Sequence, residues 1–452
     1  MPHWIGHWIG PTGLAFTQLT QLRPTKASIA TSGIATRGGP LRSLFPPITG
    51  ARKSFRGRIT SLFFFHTHTH TQRERMKFSS IQVGGSRKGA GARCCRAQAR
   101  QGSSSDPLLL RVARGEKAER APVWLLRQAG RYMKEFRKYS DVLPFRERSE
   151  TADIAVELSL QPWRAYKPDG VIMFSDILTP LPALGIDFDV VKGKGPVISN
   201  KVSSMDDVVA LRPMLSPDED LPFVSEILST LRQEVNGEAT VIGFVGTPWT
   251  LAAYSVEGGA ERHCKTTKKM MFNDPAVLHA LLDHISDALV EYCSYQIQSG
   301  AQVMQLFDSW AHHLTPEQFQ AFSLDYAEKV IRELKKRHPD TPVLFYVNGC
   351  GGKLGMLKSC TADVVAVDWG VTIKETREAL GEQRTIQGNV DPMVLFGTED
   401  EIVSAVDRCV AEGLGQHHIV NVGNGVIVGT PEEAVGVLID RVKEHSKVVS
   451  SV

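Results

Sequence analysis

Val123-Trp-Leu-Leu-Arg-Gln-Ala-Gly-Arg-Tyr-Met133 opens on a short apolar run and breaks off at two arginines four residues apart, Arg127 and Arg131. A run this brief, ended by charge and a small-residue spacer, predicts a buried strand with its polar end at a surface. The same grammar recurs at Gly170–Phe174, Val241–Val245, Val303–Phe307, Val343–Val347, Val364–Val367, Thr385–Gln387 and Ile419–Val422. With Val123–Leu126 that makes eight strands, and longer helical patterns fill the gaps. Eight strand–helix alternations over about 340 residues predict an α/β fold, a closed (β/α)8 TIM barrel. Periodicity alone leaves a doubly wound open sheet as the second arrangement.

The helix starts are legible. Asn273-Asp274-Pro275 precedes a stripe of Val277, Leu281, Leu282, Ile285 and Leu289, the spacing of one apolar helical face. Thr315-Pro316-Glu317-Gln318 and Thr430-Pro431-Glu432-Glu433 both read as N-cap, proline at the first helical position, and a capping-box partner.

Nearly every strand candidate ends in polar or glycine-rich residues: Arg127 and Arg131, Ser175-Asp176, Gly246-Thr247, Asp308-Ser309, Asn348-Gly349, Asp368-Trp369, Gly388-Asn389 with Asp391, and Gly423-Asn424. Singly these are turn residues. In a barrel they converge on the C-terminal face, where barrel enzymes carry out their chemistry. Arginine presents a planar, permanently charged fork that grips carboxylate or phosphate at two points. Two of them past one strand suit a polyanionic ligand, although a helix-capping or surface-paired couple reads the same way. Residues 127–148 add to the signal with seven Arg/Lys against three acids.

Of the chain's 52 Lys/Arg and 49 Asp/Glu, 16 and one fall in residues 1–105, leaving 36 and 48 beyond, a net of −12. An acidic body gives a nucleic-acid surface little support. The acid-poor, Arg- and Ser-rich head has the composition of an organellar transit peptide. Met76 begins a self-sufficient basic stretch, so residues 1–75, with a repeated Trp-Ile-Gly step and the run His66-Thr-His-Thr-His-Thr71, read either as an extension of the gene or as part of one long leader. The two domains expected are therefore this head, 1–105, and the barrel, 106–452. No apolar run reaches the roughly 18 residues that a membrane span needs. Seven cysteines lie scattered, with only Cys94 and Cys95 adjacent, and imply no disulfide framework.

Six blocks, in order, resemble the uroporphyrinogen decarboxylase family: the opening Val123–Met133 string, Phe174-Ser-Asp-Ile-Leu178, Gly246-Thr-Pro-Trp-Thr-Leu-Ala-Ala-Tyr-Ser-Val-Glu-Gly258, Phe307-Asp-Ser-Trp310, Gln387-Gly-Asn-Val-Asp391 and Gly429-Thr-Pro-Glu432. The resemblance spans about residues 107–446. It implies a single distorted barrel, a homodimer with facing clefts, no metal and no organic cofactor. It implies removal of CO2 from the four acetate arms of uroporphyrinogen, giving coproporphyrinogen for haem and chlorophyll.

The resemblance also assigns residues. Asp176 matches the carboxylate that accepts the pyrrole N–H groups and stabilises the cationic ring. Arg127 and Arg131 match carboxylate-binding arginines, with Arg127 placed to aid proton delivery or hold the leaving carboxylate. Tyr254 and Ser309 match further cleft positions; read without the family, they are a wall residue and a turn residue. The expected catalytic set is Asp176, Arg127 and Tyr254, and the expected substrate contacts add Arg131, Ser309 and Asn424. The last departs from the pattern: the family's Asn-Leu-Gly-His-Gly string reads Asn421-Val-Gly-Asn-Gly425 here. Asparagine donates a hydrogen bond but carries no charge and shuttles no proton, so retained activity with an altered rate or order of arm removal is expected.

Two rival functions fit parts of the sequence. Zinc- and corrinoid-linked methyltransferases share this barrel and resemble one another in a His-x-Cys pair plus a distant Cys, but the comparable stretch here is Asn348-Gly-Cys350. A catalytically dead tetrapyrrole-binding paralogue has only Asn424 in its favour. The doublets His312-His313 and His417-His418 are not expected to bind metal, since neighbouring side chains diverge. The basic head and the implied pathway predict a plastid location.

Overall fold

Seven parallel strands form one sheet in the computed structural model, which describes residues 106–449 apart from 192 and 415. The basic head, Met76, the alternating histidines and Cys94-Cys95 lie outside the described residues. In chain order the strands are β1 (Gly170–Ile172), β2 (Phe188–Val191), β3 (Gly195–Ile198), β4 (Thr240–Gly246), β5 (Val303–Asp308), β6 (Val343–Val347), β7 (Val364–Val367), β8 (Thr385–Gln387) and β9 (His418–Ile419). The sheet runs β1-β4-β5-β6-β7-β8-β9, while β2 and β3 pair separately as an antiparallel hairpin.

The ring closes through the segment that opens the motif. Val123 bridges Val420 in parallel, and Val420 N–H donates to Pro122 C=O at 2.8 Å. On the other side, Asp169 N–H donates to Val123 C=O at 2.8 Å, one residue before β1. Val123 is thus the eighth stave, reduced from the predicted four-residue strand to one bridged residue. The barrel is distorted here, and the open sheet is excluded. Strands β4 to β8 are buried along their whole length, which explains their continuous apolar runs. Helix Leu108–Ala113 covers the N-terminal face: Leu110 N–H donates to Thr240 Oγ1 at 3.1 Å, and Thr385 Oγ1 to Val112 C=O at 3.3 Å.

The barrel interior is not wholly apolar. Trp124 Nε1 donates to Gln387 Oε1 at 2.9 Å, and Gln387 Nε2 to Gln305 Oε1 at 3.0 Å. This chain ties the closing stave to β8 and β5. Trp124, Trp249, Trp310 and Phe345 are fully buried, each stabilising the fold by on the order of 2 kcal/mol.

Two helix starts behave differently. Thr315 and Gln318 form the predicted capping box. Thr430 does not: the helix begins at Glu432, the buried Thr430 hydroxyl has no partner, and Glu432 Oε1 instead accepts the Lys134 N–H at 2.7 Å. The last helix thereby caps helix Lys134–Ser140, which directly follows the two arginines.

Candidate active site

Arg127 stands at φ 57°, in the left-handed region that costs a non-glycine residue about 1–2 kcal/mol. Its neighbours hold it there. Leu126 N–H donates to Asn421 Oδ1 at 2.9 Å, Val426 N–H to Leu126 C=O at 2.9 Å, and Gln128 Nε2 to Gly170 C=O at 3.0 Å. Gly425 is part of the same clamp, since a Cβ there would lie 2.3 Å from Arg127 Cδ. The guanidinium itself is exposed, and among the described residues it makes no hydrogen bond and no ion pair. The fold spends contacts on aiming this cation while leaving its donors unused.

Asp176 follows β1 on a tight turn. Its Oδ1 accepts the Leu178 N–H at 2.8 Å, and Thr179 Oγ1 donates to its C=O at 2.8 Å. Oδ2 receives no donor among the described residues. Burial raises the Asp176 carboxyl above its ordinary value, while the Leu178 bond and the charge of Arg127 pull it down. Tyr254 lies on helix Pro248–Glu257, every residue of which is buried. Its ring packs 4.6 Å from that of Trp310. Burial pushes its phenol up to about 12, against a hydrogen bond from Trp310; Asp176 adds to the rise and Arg127 opposes it. Arg127, Asp176 and Tyr254 therefore share one electrostatic neighbourhood, with Tyr254 a neutral O–H donor near pH 7.

The other predicted positions sit around this group. Arg131 Nη2 lies 3.6 Å from Asp141 Oδ1, and burial lowers its guanidinium from the usual value. Ser309 follows β5, its C=O accepting Asn348 Nδ2 at 2.9 Å, which leaves its hydroxyl without a partner among the described residues. Asn424 folds back, its Oδ1 taking the Gly425 N–H at 2.7 Å, so its carboxamide supports the glycine that packs on Arg127.

Three residues with a part in the site were missed by sequence reasoning. Asp308 is fully buried and accepts hydroxyl donors from Thr247 at 3.0 Å, Thr250 at 2.9 Å, and Ser323. It thus fixes both the start of the Tyr254 helix and the Ser309 turn. Tyr346 on β6 donates to Gly423 C=O at 2.9 Å and lies within the field of Arg127. Asn421 was visible in the last-strand string, but nothing local tells that its side chain reaches back to Leu126. A tyrosine one residue short of a strand end was the available signal for Tyr346.

The histidine doublet departs from the expected geometry. His312 and His313 do not diverge; on the tight turn Ala311–His313 their rings lie 4.0 Å apart. His312 Nδ1 is 3.1 Å from Ser309 C=O, and burial lowers His313 to about 3. Among the described residues, no cluster of three or more metal-ligating side chains includes them. Cys350 packs its thiol against Asp368 Oδ1 at 3.6 Å, and burial pushes it up.

Comparison with known proteins places this geometry. The uroporphyrinogen decarboxylase family model matches residues 104–445. The uroporphyrinogen decarboxylase of Crocosphaera subtropica is 50% identical over 350 residues, 77% of this chain and 99% of the relative. That of a Synechococcus strain is 52% identical over 332 residues, 73% and 94% respectively. A methyltransferase from Methanosarcina mazei superposes with a TM-score of 0.64 at 18% identity, covering 75% of this chain and 98% of its own, a likeness of fold alone. The family match takes in all six candidate site residues, and the chain belongs to the uroporphyrinogen decarboxylase family.

Proposed function

We propose that this protein removes CO2 from the four acetate arms of uroporphyrinogen III to give coproporphyrinogen III. The observation that carries the reading is the juxtaposition of an Asp176 oxygen and an Arg127 guanidinium that, among the described residues, have neither donor nor acceptor. The first suits pyrrole N–H groups and the second a carboxylate. Around them Tyr254, Ser309, Arg131 and Asn424 supply further contacts for the carboxylates.

The chemistry uses the substrate as its own electron sink. A pyrrole carbon takes a proton, and Asp176 stabilises the cationic ring. The C–C bond to the carboxylate breaks, CO2 leaves, and the electron pair forms an exocyclic double bond that neutralises the cation. That methylene carbon takes up a proton while the ring carbon gives one back, leaving a methyl group. Each arm consumes one proton net, and no electron acceptor enters. Arg127 positions the departing carboxylate, since a guanidinium is a poor acid at neutral pH.

The protein works as a homodimer in the plastid. The apolar side chains of Met393, Phe396 and Val428, exposed on the segments after β8 and β9, support an interface on that face. The cyanobacterial origin of the relatives, and the composition of residues 1–105, support the compartment. An anaerobic assay with uroporphyrinogen III, following product carboxylate number by chromatography, tests the activity. Products with seven down to four carboxylates are expected. Tight binding without conversion would make the protein a tetrapyrrole binder instead. A single-protomer mass in sedimentation would reject the dimer, and a fusion starting at Met76 that stayed cytosolic would reject the plastid.

A further inference from the structure

Setting Asp176 aside for the cationic ring, the candidate site residues include none that changes charge near pH 7. Arg127 and Arg131 are guanidinium ions, burial pushes the Tyr254 phenol up to about 12, and Ser309 and Asn424 do not titrate. On the decarboxylase reading, on which this inference rests, each arm nevertheless consumes a proton. The cleft therefore needs a group that loads a proton from water and releases it.

His312 has that character by its position. It stands on the turn Ala311–His313, three residues after Ser309 on the C-terminal face, and it is exposed. Its Nδ1 is within reach of both an acceptor, Ser309 C=O at 3.1 Å, and a donor, Asn348 Nδ2 at 3.1 Å. A neutral ring accepts from Asn348 and keeps its proton on Nε2, while an imidazolium donates from Nδ1 to Ser309 C=O. Both protonation states thus find a partner for Nδ1, and Nε2 has none among the described residues. Gly349 makes room for this turn, since a Cβ there would lie 2.6 Å from His312 Cβ. A run of packed rings fixes the residue relative to the assigned site: Tyr254 to Trp310 at 4.6 Å, Trp310 to His313 at 5.3 Å, and His313 to His312 at 4.0 Å.

We infer that His312 is the residue through which the cleft takes up the proton that each arm consumes. In the free protein burial lowers His312 from its usual value; Ser309 C=O opposes this, Lys353 after β6 adds to it, and Asp368 after β7 opposes it. Burial, the charge of His312, and Lys268 and His263 push its neighbour His313 down to about 3, so only one ring of the pair takes a proton. A ligand with eight carboxylates favours the imidazolium, and the ring loads a proton from water as substrate binds. In the step that completes each arm, the Nε2–H bond breaks and a C–H bond forms at the exocyclic methylene carbon from its double-bond pair. The ring carbon returns its own proton to water, and the exposed imidazole reloads from solvent. No electrons pass to any other group.

The test compares the full chain with His312→Gln and His312→Ala, changes at an exposed turn that leave folding intact. Uroporphyrin, the oxidised eight-carboxylate analogue, is titrated calorimetrically near pH 7 in buffers of different ionisation enthalpy. Binding to His312→Gln should take up about one proton fewer than binding to the wild type. In the anaerobic assay its kcat falls about 10²-fold while KM moves within about threefold, and added imidazole restores part of the rate to His312→Ala. Unchanged proton uptake, or a kcat within about threefold of the wild type, would overturn the inference. A loss of kcat that imidazole leaves untouched would also overturn it, making His312 a structural brace of the Ser309 turn. A wild type that binds but does not decarboxylate would instead reject the decarboxylase reading, and the calorimetry would still decide whether His312 takes up the proton.

Discussion

Asp176 and Asp308 each stand at or just past the C-terminal end of a barrel strand, in surroundings that differ in one decisive respect. Asp308 is fully buried and accepts three hydroxyl donors from Thr247, Thr250 and Ser323. Asp176 is half-buried and accepts one backbone N–H, leaving Oδ2 without a donor among the described residues. Asp368, after β7, resembles Asp308, receiving the N–H groups of Gly349, Cys350 and Gly370. The same residue type near strand ends is consumed by the fold in two cases and, on the proposed reading, held for a ligand in one. Position along the strand locates the face; hydrogen-bond capacity left over locates the chemistry.

The comparison can be broken first at Asp176. Asp176→Asn keeps the Leu178 bond and the shape but removes the charge, so kcat/KM falls by about 10³-fold with thermal stability nearly unchanged. A loss of under tenfold in the anaerobic assay would show that its unclaimed oxygen has no special part. At Asp308 the expected losses are reversed. Asp308→Ala strands three buried hydroxyls and costs about 3–5 kcal/mol, read by denaturant unfolding.

The two acids also differ in their response to pH. Burial raises Asp308 to about 6, above its unfolded value. Its native form therefore binds more protons between about pH 4 and 6, and its contribution to stability falls as pH rises through that window. The stability of the wild type relative to Asp308→Asn should decline there and level off above about pH 6. Arg127→Gln is expected to lower kcat/KM about 10²-fold. Removing the positive charge also raises the Asp176 carboxyl further, moving the acid limb of the rate profile to higher pH. An acid limb that stayed in place would uncouple Asp176 from Arg127.

The smallest expected effect is at Asn424, whose side chain is turned onto Gly425. Asn424→His should change kcat within about threefold, with a shifted distribution of partly decarboxylated intermediates. Activity appearing from none would make the missing histidine essential after all.

The sequence carried the barrel wherever strands were central. β6, β7 and β8 have the predicted bounds because both their faces are buried, and their apolar runs are unbroken. The readings weakened at the edges of the ring. Val123–Leu126 and Ile419–Val422 shrink to a bridge and two residues, since closure there is made by single backbone bonds that leave no periodic mark. The β2–β3 hairpin was not foreseen: it contains glycine and proline, and Val191 and Val197 face solvent. It nevertheless braces the Tyr254 helix, with Ile198 N–H donating to Gly258 C=O at 2.9 Å. The strand-end residues were legible as types; the bonds that claim Asp308 and spare Asp176 are tertiary and were not.

The clamp on Arg127 joins residues at the two ends of the folded chain: Leu126 and its partner Asn421 are 295 positions apart. Bringing such distant segments together is entropically expensive and comes late in folding. Because a nascent protein emerges from its amino end, Arg127 has no settled conformation until the final strand has been made. A polypeptide halted before Asn421 would possess nearly every candidate residue of the site, yet could not aim the cation proposed to hold the departing carboxylate. Completion of synthesis thus acts as a licence for activity, and truncated products are expected to be inert rather than partly functional.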